Sequence, residues 1–222
     1  MNPKSRTVAP YAPSHAVILC HPDPNSFNAS VASAYCEAIG LLGRDAVLRD
    51  LYRMNFDPVL KSTERPDAVD FKPSSDVAAE IEAIQNSEVF VLVYPIWFGT
   101  PPAMLKGYVE RVLGAGFSHR AVRMRTPHSF LAGKHLLSIT TSGTSLQWLN
   151  EQGAWVSLRN VFDKYLASAF SMASCEHLHL PNVVDGMAKW HVREELFRVT
   201  EFARQTCARL PRSVEETVSH RE

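Results

Sequence analysis

Glu88-Val89-Phe90-Val91-Leu92-Val93-Tyr94 is apolar without a break from Val89 to Val93. No residue marks a wet face, so a strand here is buried on both sides, as in a parallel sheet covered by helices. Pro95-Ile96-Trp97-Phe98-Gly99-Thr100-Pro101-Pro102 follows, a stiff loop carrying two aromatics. Pro102 to Leu113 then reads as a helix with proline at its opening. Upstream, Val77, Ile81 and Ile84 mark another helix.

The same alternation continues in both directions. Ala16 to Cys20 is a short apolar strand. It leads through the polar loop His21-Pro22-Asp23-Pro24-Asn25-Ser26-Phe27-Asn28 into a helix from Ala29 to Leu42. Val31, Ala34, Tyr35, Ala38 and Ile39 form its apolar stripe, and Gly43 closes it. Asp45 to Leu51, Leu136 to Thr141 and His177 to Leu180 are three more strands. Gln147 to Ala169 is helical with a break near Gly153, and Met187 to Leu210 is a closing helix. The order predicts an α/β domain over 14–210: a doubly wound, five-stranded parallel sheet with helices on both faces. Residues 1–13, with Pro3, Pro10 and Pro13, form an extended or disordered arm, and 211–222 a polar tail. Ligands of such sheets bind beyond the carboxyl ends of the strands, where the strand order reverses. The loops after strands one, three and four are therefore the place for a site.

The chain has 222 residues, 23 basic and 23 acidic, with 45% apolar residues. This is one soluble domain with an ordinary core. Zero net charge argues against nucleic-acid binding. No apolar run is long enough to span a bilayer, and the first residues lack a secretory apolar region. Cys20, Cys36, Cys175 and Cys207 form no Cys-x-x-Cys pair, so reduced thiols in a cytoplasmic protein are expected and a zinc site is not. His177 and His179 share a strand face but lack a third ligand, so they read as structural histidines. Asp163 and Lys164 read as a solvated helix face.

The three loops differ in chemistry. The first has no Gly-x-Gly-x-x-Gly, which disfavours a dinucleotide-binding Rossmann site. It offers instead Ser26, Asn28 and the free amides of a helix N-terminus, which suit a phosphate or simple N-capping. The second offers an apolar wall, Trp97 and Phe98. The third, Thr140-Thr141-Ser142-Gly143-Thr144-Ser145, is a small hydroxyl turn that allows close backbone approach. Together they fit a mononucleotide with a flat ring, such as a flavin.

Several stretches resemble the NAD(P)H:quinone oxidoreductases, flavin enzymes of flavodoxin-like fold. They are His21 to Asn28, Asp50-Leu51-Tyr52-Arg53-Met54-Asn55-Phe56-Asp57-Pro58, Tyr94-Pro95, Pro102-Ala103-Met104-Leu105-Lys106-Gly107-Tyr108-Val109-Glu110-Arg111-Val112, Gly133-Lys134 and Thr140-Thr141-Ser142-Gly143. The resemblance implies that His21, Ser26, Phe27 and Asn28 hold the flavin phosphates. It implies that Pro95, Ile96, Trp97 and Phe98 lie along the ring, and that Thr140, Thr141, Ser142 and Gly143 meet its pyrimidine side. Glu110 matches a position near the nucleotide end. FAD is the implied cofactor, with FMN the alternative, and NADH or NADPH the co-substrate. A quinone or similar small molecule is the implied acceptor, and a homodimer with shared sites the implied assembly.

The sequence departs from that family at Ser142, where many members have glycine, and at Gln147-Trp148-Leu149-Asn150-Glu151, where mammalian-type members place a Tyr and a His. Trp148 stands at the Tyr position and cannot do its proton chemistry. No side chain is named as a catalytic acid, since hydride chemistry belongs to the flavin and the protein supplies binding and electrostatics. A flavin-binding electron carrier or a regulatory subunit of another protein is the alternative function. Arg120, Arg123, Arg125 and Lys134, in a stretch without acidic residues, read as a solvated loop or as an anion-attracting rim.

Overall fold

The computed structural model describes residues 15–210. The proposed arm and tail lie outside them. Five strands form one parallel sheet: β1 (His15–Leu19), β2 (Ala46–Asp50), β3 (Val89–Pro95), β4 (His135–Thr141) and β5 (Ser174–Leu180), in the order β2-β1-β3-β4-β5. The five-stranded parallel sheet expected from the sequence is the one observed. β5 begins three residues earlier than expected, because its first half is only partly buried and lacks the apolar signal.

Period-two alternation sends successive side chains of β3 to opposite layers. Val89, Val91 and Val93 pack under α1 (Phe27–Leu41) and α8 (Lys189–Arg209). Phe90, Leu92 and Tyr94 pack in the layer that includes Leu105, Tyr108, Val112, Phe162 and Leu166. That second layer contains α2 (Ser75–Ile84) and α3 (Ala103–Tyr108), with a π segment over Val109–Leu113. It also contains α6 (Ala154–Leu158), a second π segment over Arg159–Lys164, and α7 (Tyr165–Ala169). Short helices α4 (His119–Arg123) and α5 (Leu146–Glu151) complete the chain, and Gly153, at φ +67°, makes the break expected after α5.

The two most specific sequence stretches meet each other. A Cβ on Gly107 would lie 2.2 Å from the Pro58 carbonyl oxygen, so only glycine lets α3 rest on the Asp57-Pro58 loop. Phe56 packs edge-on to Tyr108 at 5.3 Å, and the Arg111 guanidinium lies 5.3 Å from the same ring. Arg111, fully buried in the first π segment, holds Glu64 through two 2.7 Å bonds and Asp76 at 2.9 Å. These contacts tie the first π segment to α2 and to the loop that carries Glu64.

Candidate functional site

A cavity of about 700 Å³ opens at the carboxyl ends of β1, β3 and β4, where the sheet order reverses. At one end is the N-terminus of α1. Ser26 caps it, its Oγ accepting from the Ala29 amide at 3.2 Å. The first-turn amides of Phe27 and Asn28 have no partners within a helix. His21 Nδ1 lies 3.1 Å from the Asp23 amide nitrogen and 3.3 Å from the Asp23 carbonyl oxygen, and its ring lies 5.7 Å from Trp97. Asn28 is buried and donates through Nδ2 to Thr141 Oγ1 at 2.9 Å, tying the α1 entrance to the end of β4.

Pro95, Ile96 and Trp97 make the apolar wall. Trp97 and Thr100 exchange backbone bonds of 3.0 and 3.1 Å around a tight turn. Phe98 (φ +51°) and Gly99 (φ +78°) form its tip. Positive φ at both positions is what a two-residue hairpin turn needs, and a phenylalanine there is strained. The Phe98 side chain is fully exposed. The Ile96 and Trp97 amides are consumed by Thr141 O and Thr100 O, whereas those of Phe98, Gly99 and Gly143 make no hydrogen bond among the described residues.

Thr141, Ser142 and Gly143 form the floor. The far side is Val183, Val184, Asp185, Gly186 and Met187 after β5, with Val192 of α8. The sequence reading missed this side. The Asp185-Gly186 turn signal, with Gly186 at φ +77°, was available to find it. No Lys or Arg among the described residues lines the cavity, so the anion-binding capacity they give it lies in neutral donors and helix amides.

Of the residues anticipated for the site, His21, Ser26, Phe27, Asn28, Pro95, Ile96, Trp97, Thr141, Ser142 and Gly143 line this cavity together. Phe98 stands outside it at the turn tip. Thr140 is buried behind the floor. Trp148, on α5, is half exposed and not in the lining. Glu110 is an exposed member of the first π segment, paired with Lys106, and does not reach the cavity. The basic stretch is also elsewhere. None of Arg120, Arg123, Arg125 and Lys134 lines the cavity: Arg120 and Arg123 belong to α4, Arg125 follows it, and Lys134 directly precedes β4.

Behind the floor lies a buried polar chain. Ser138 and Thr140 of β4 stand beside His177 and His179 of β5 in register, all facing the same layer. Asp163 of the second π segment accepts from Ser138 Oγ at 2.7 Å and meets His177 Nδ1 at 2.5 Å. Thr140 Oγ1 lies 2.7 Å from His177 Nε2 and 2.9 Å from His179 Nδ1. His179 Nε2 lies 3.1 Å from Ser142 Oγ, which is also 2.8 Å from the Thr144 carbonyl. Burial, then the neighbouring His177 and Arg198, pushes His179 down to about 4. Asp163, expected on a solvated face, is therefore buried, because the π segment turns it onto the sheet. Lys164 is exposed as expected.

The sequence profile of a family described as flavodoxin-like fold matches residues 14–198. NAD(P)H dehydrogenase (quinone) 1 of Rattus norvegicus is 34% identical over 146 residues, 58% of this chain and 53% of that protein. The chain thus aligns with about half the length of that relative. A protein of Haemophilus influenzae, named as an uncharacterized NAD(P)H oxidoreductase, is 31% identical over 147 residues, 66% of this chain and 72% of that one. Among solved structures, NAD(P)H:quinone oxidoreductase from Methanothermobacter marburgensis superposes with a TM-score of 0.70 at 24% identity, covering 88% of this chain and 96% of that one. An FMN-dependent NADH-azoreductase from Bacillus anthracis, solved with FMN, gives 0.66 at 14% identity, covering 86% and 98%.

Proposed function

For a chain that belongs to the flavodoxin-like family of NAD(P)H:quinone oxidoreductases, we propose flavin-dependent transfer of hydride from NADH or NADPH to a quinone or similar acceptor. The observation that carries this reading is the three-part cavity: helix amides with hydroxyl and amide side chains at one end, an apolar wall, and a small-residue floor. That donor set fits a flavin. It has uncharged phosphate donors at a helix N-terminus, a flat apolar surface for stacking, and unengaged amides at Phe98, Gly99 and Gly143. A bound flavin supplies the hydride-accepting and hydride-donating ring.

The residues of this chain then divide the work. The amides of Phe27 and Asn28, with Ser26 and the His21 ring, would hold the phosphate. Pro95, Ile96 and Trp97 orient the ring plane. Thr141, Ser142 and Gly143 face its polar edge, and Asn28, locked to Thr141, keeps these two ends at a fixed spacing. Phe98 completes the wall from outside, where a second copy of the chain would also reach. Val156, Val161 and Tyr165 along α6 to α7, with Trp148, are exposed apolar side chains that suit a homodimer. Analytical ultracentrifugation tests the dimer, and a monomer at micromolar concentration would refute it. Glu110 is given no part in the cavity of its own chain. Four unpaired cysteines suit the reducing cytoplasm, the proposed compartment.

FAD is the proposed flavin, on the resemblance of the first loop and the Asp50 to Pro58 stretch. FMN is the alternative. Purification with both flavins present should give a yellow protein that oxidises NAD(P)H with ping-pong kinetics. Heat release and chromatography then identify the flavin. A colourless protein without NAD(P)H oxidation would refute the enzyme reading. Quinone reduction without any added protein separates the enzyme from an electron carrier or a regulatory subunit.

A further inference from the structure

We propose that Ser142, His179, Thr140, His177 and Asp163 form a proton relay that stores one proton in the wall of the cavity and delivers it to an anion there. The proposal deepens the function proposed above, since hydride transfer to a neutral acceptor leaves an anion that needs one more proton.

The argument begins with Thr140. Its hydroxyl carries a single hydrogen, yet it lies within hydrogen-bond distance of a nitrogen on each of two imidazoles. It can donate to only one, so the direction of the whole chain is set at this residue. Asp163, accepting from Ser138, keeps a hydrogen on His177 Nδ1 in either direction.

In the first arrangement Thr140 donates to His177 Nε2. His179 Nδ1–H then donates to Thr140, and Ser142 O–H donates to His179 Nε2. Both imidazoles are neutral. In the second arrangement Thr140 donates to His179 Nδ1. His177 must then carry hydrogen on both nitrogens, as an imidazolium facing Asp163. His179 Nε2–H donates to Ser142, whose own hydrogen goes to the Thr144 carbonyl 2.8 Å away. The two arrangements use the same heavy atoms and differ by one proton.

The transfer balances at every atom. Ser142 O–H breaks as its proton bonds to the anion, and Ser142 regains a hydrogen from His179 Nε2. His179 Nδ1 takes the Thr140 hydrogen, and Thr140 takes the one on His177 Nε2. The second arrangement has become the first, and the positive charge has left His177. Reversal, with a proton from cavity water at Ser142, reloads the chain.

The surroundings confine this traffic to one exit. Thr140 is fully buried, the His177 and Asp163 side chains are 1% and 3% exposed, and Ser142 alone of the five lines the cavity. Trp155 of α6 closes over both imidazoles, with ring centroids 4.6 and 5.1 Å away. Other ionisable groups face the chain as well. Arg159 sits over Trp155, Lys164 follows Asp163, and Cys175 and Tyr94 feel the Asp163 charge. Arg198 of α8, paired with Glu195, donates to the His179 carbonyl at 3.2 Å. Asp163 is the charged group in direct contact with His177.

Nuclear magnetic resonance of protein with isotope-labelled histidine, titrated with acid, tests the relay without reference to the flavin. His177 should become doubly protonated at the same midpoint at which His179 moves its hydrogen from Nδ1 to Nε2. Thr140→Val keeps the shape and removes the hydroxyl, so His177 should titrate while His179 keeps one tautomer. Asp163→Asn, a second variant of unchanged shape, removes the charge facing His177 and should move the shared midpoint toward acid. A His179 tautomer that ignores His177 in the unmodified protein, or a swap that survives Thr140→Val, would overturn the proposal. In turnover, Thr140→Val should lower kcat for quinone by about 100-fold with little change in KM for NAD(P)H. An unchanged kcat would overturn the catalytic use of the relay. Failure of the unmodified protein to oxidise NAD(P)H would instead overturn the enzyme reading, with the tautomer coupling judged separately.

Discussion

Phe98 sets an aromatic side chain in a backbone region that favours glycine or asparagine, and leaves the ring in solvent. A strained residue that gains nothing within its own chain points to a contact made elsewhere, with ligand or a second copy. Phe98→Asn, which tolerates positive φ, should raise stability by about 1 kcal/mol in urea unfolding while lowering quinone turnover. Unchanged turnover would remove Phe98 from the site. Asp163 gives the reverse lesson. An aspartate beside a lysine in a helix resembles a solvated face in sequence. Only the five-residue hydrogen-bonded turns around it rotate the carboxylate inward, and no composition signal marks that rotation.

At the scale of elements, the segment after α3 shows why a specific stretch need not be a site. The Pro-Ala-x-Leu-Lys-Gly signal keeps its glycine because Gly107 touches Pro58, and the arginine four residues later is a buried clamp. Glu64→Gln would leave the Arg111 guanidinium buried with only half-exposed Asp76 as a charged partner. It should cost about 3 kcal/mol of stability. Arg111, first, and Ser74 and the Lys61 amide hold the Glu64 carboxyl well below the usual carboxylate range. Its stabilising share is therefore present above pH about 4.5 and is lost as pH falls below that. The variant should lose its deficit relative to the parent in acid, which urea midpoints at pH 7 and pH 3 would measure.

For the whole molecule, acid sensitivity should appear earlier than carboxylates alone predict. His15 at the base of β1, His128 among Phe117, Phe130 and Phe170, and His179 behind the cavity are all pushed down to about 4, chiefly by burial. Their folded values lie below the unfolded value of about 6.5, so the unfolded chain binds more protons between these limits. Stability therefore falls as pH drops from about 6.5 to 4, by up to about 4 kcal/mol per pH unit with all three groups contributing. A flat unfolding free energy across that range would contradict the burial of these rings. The alternation of apolar strands and amphipathic helices determined the layers, the parallel sheet and the edge at which ligands bind, because burial on two faces is written directly in residue type. The cavity's fourth side and the histidine relay were decided only by the tertiary structure. They depend on which side chains of β4, β5 and a π segment share one face, and hydrogen bonds across that distance leave no periodicity in the chain.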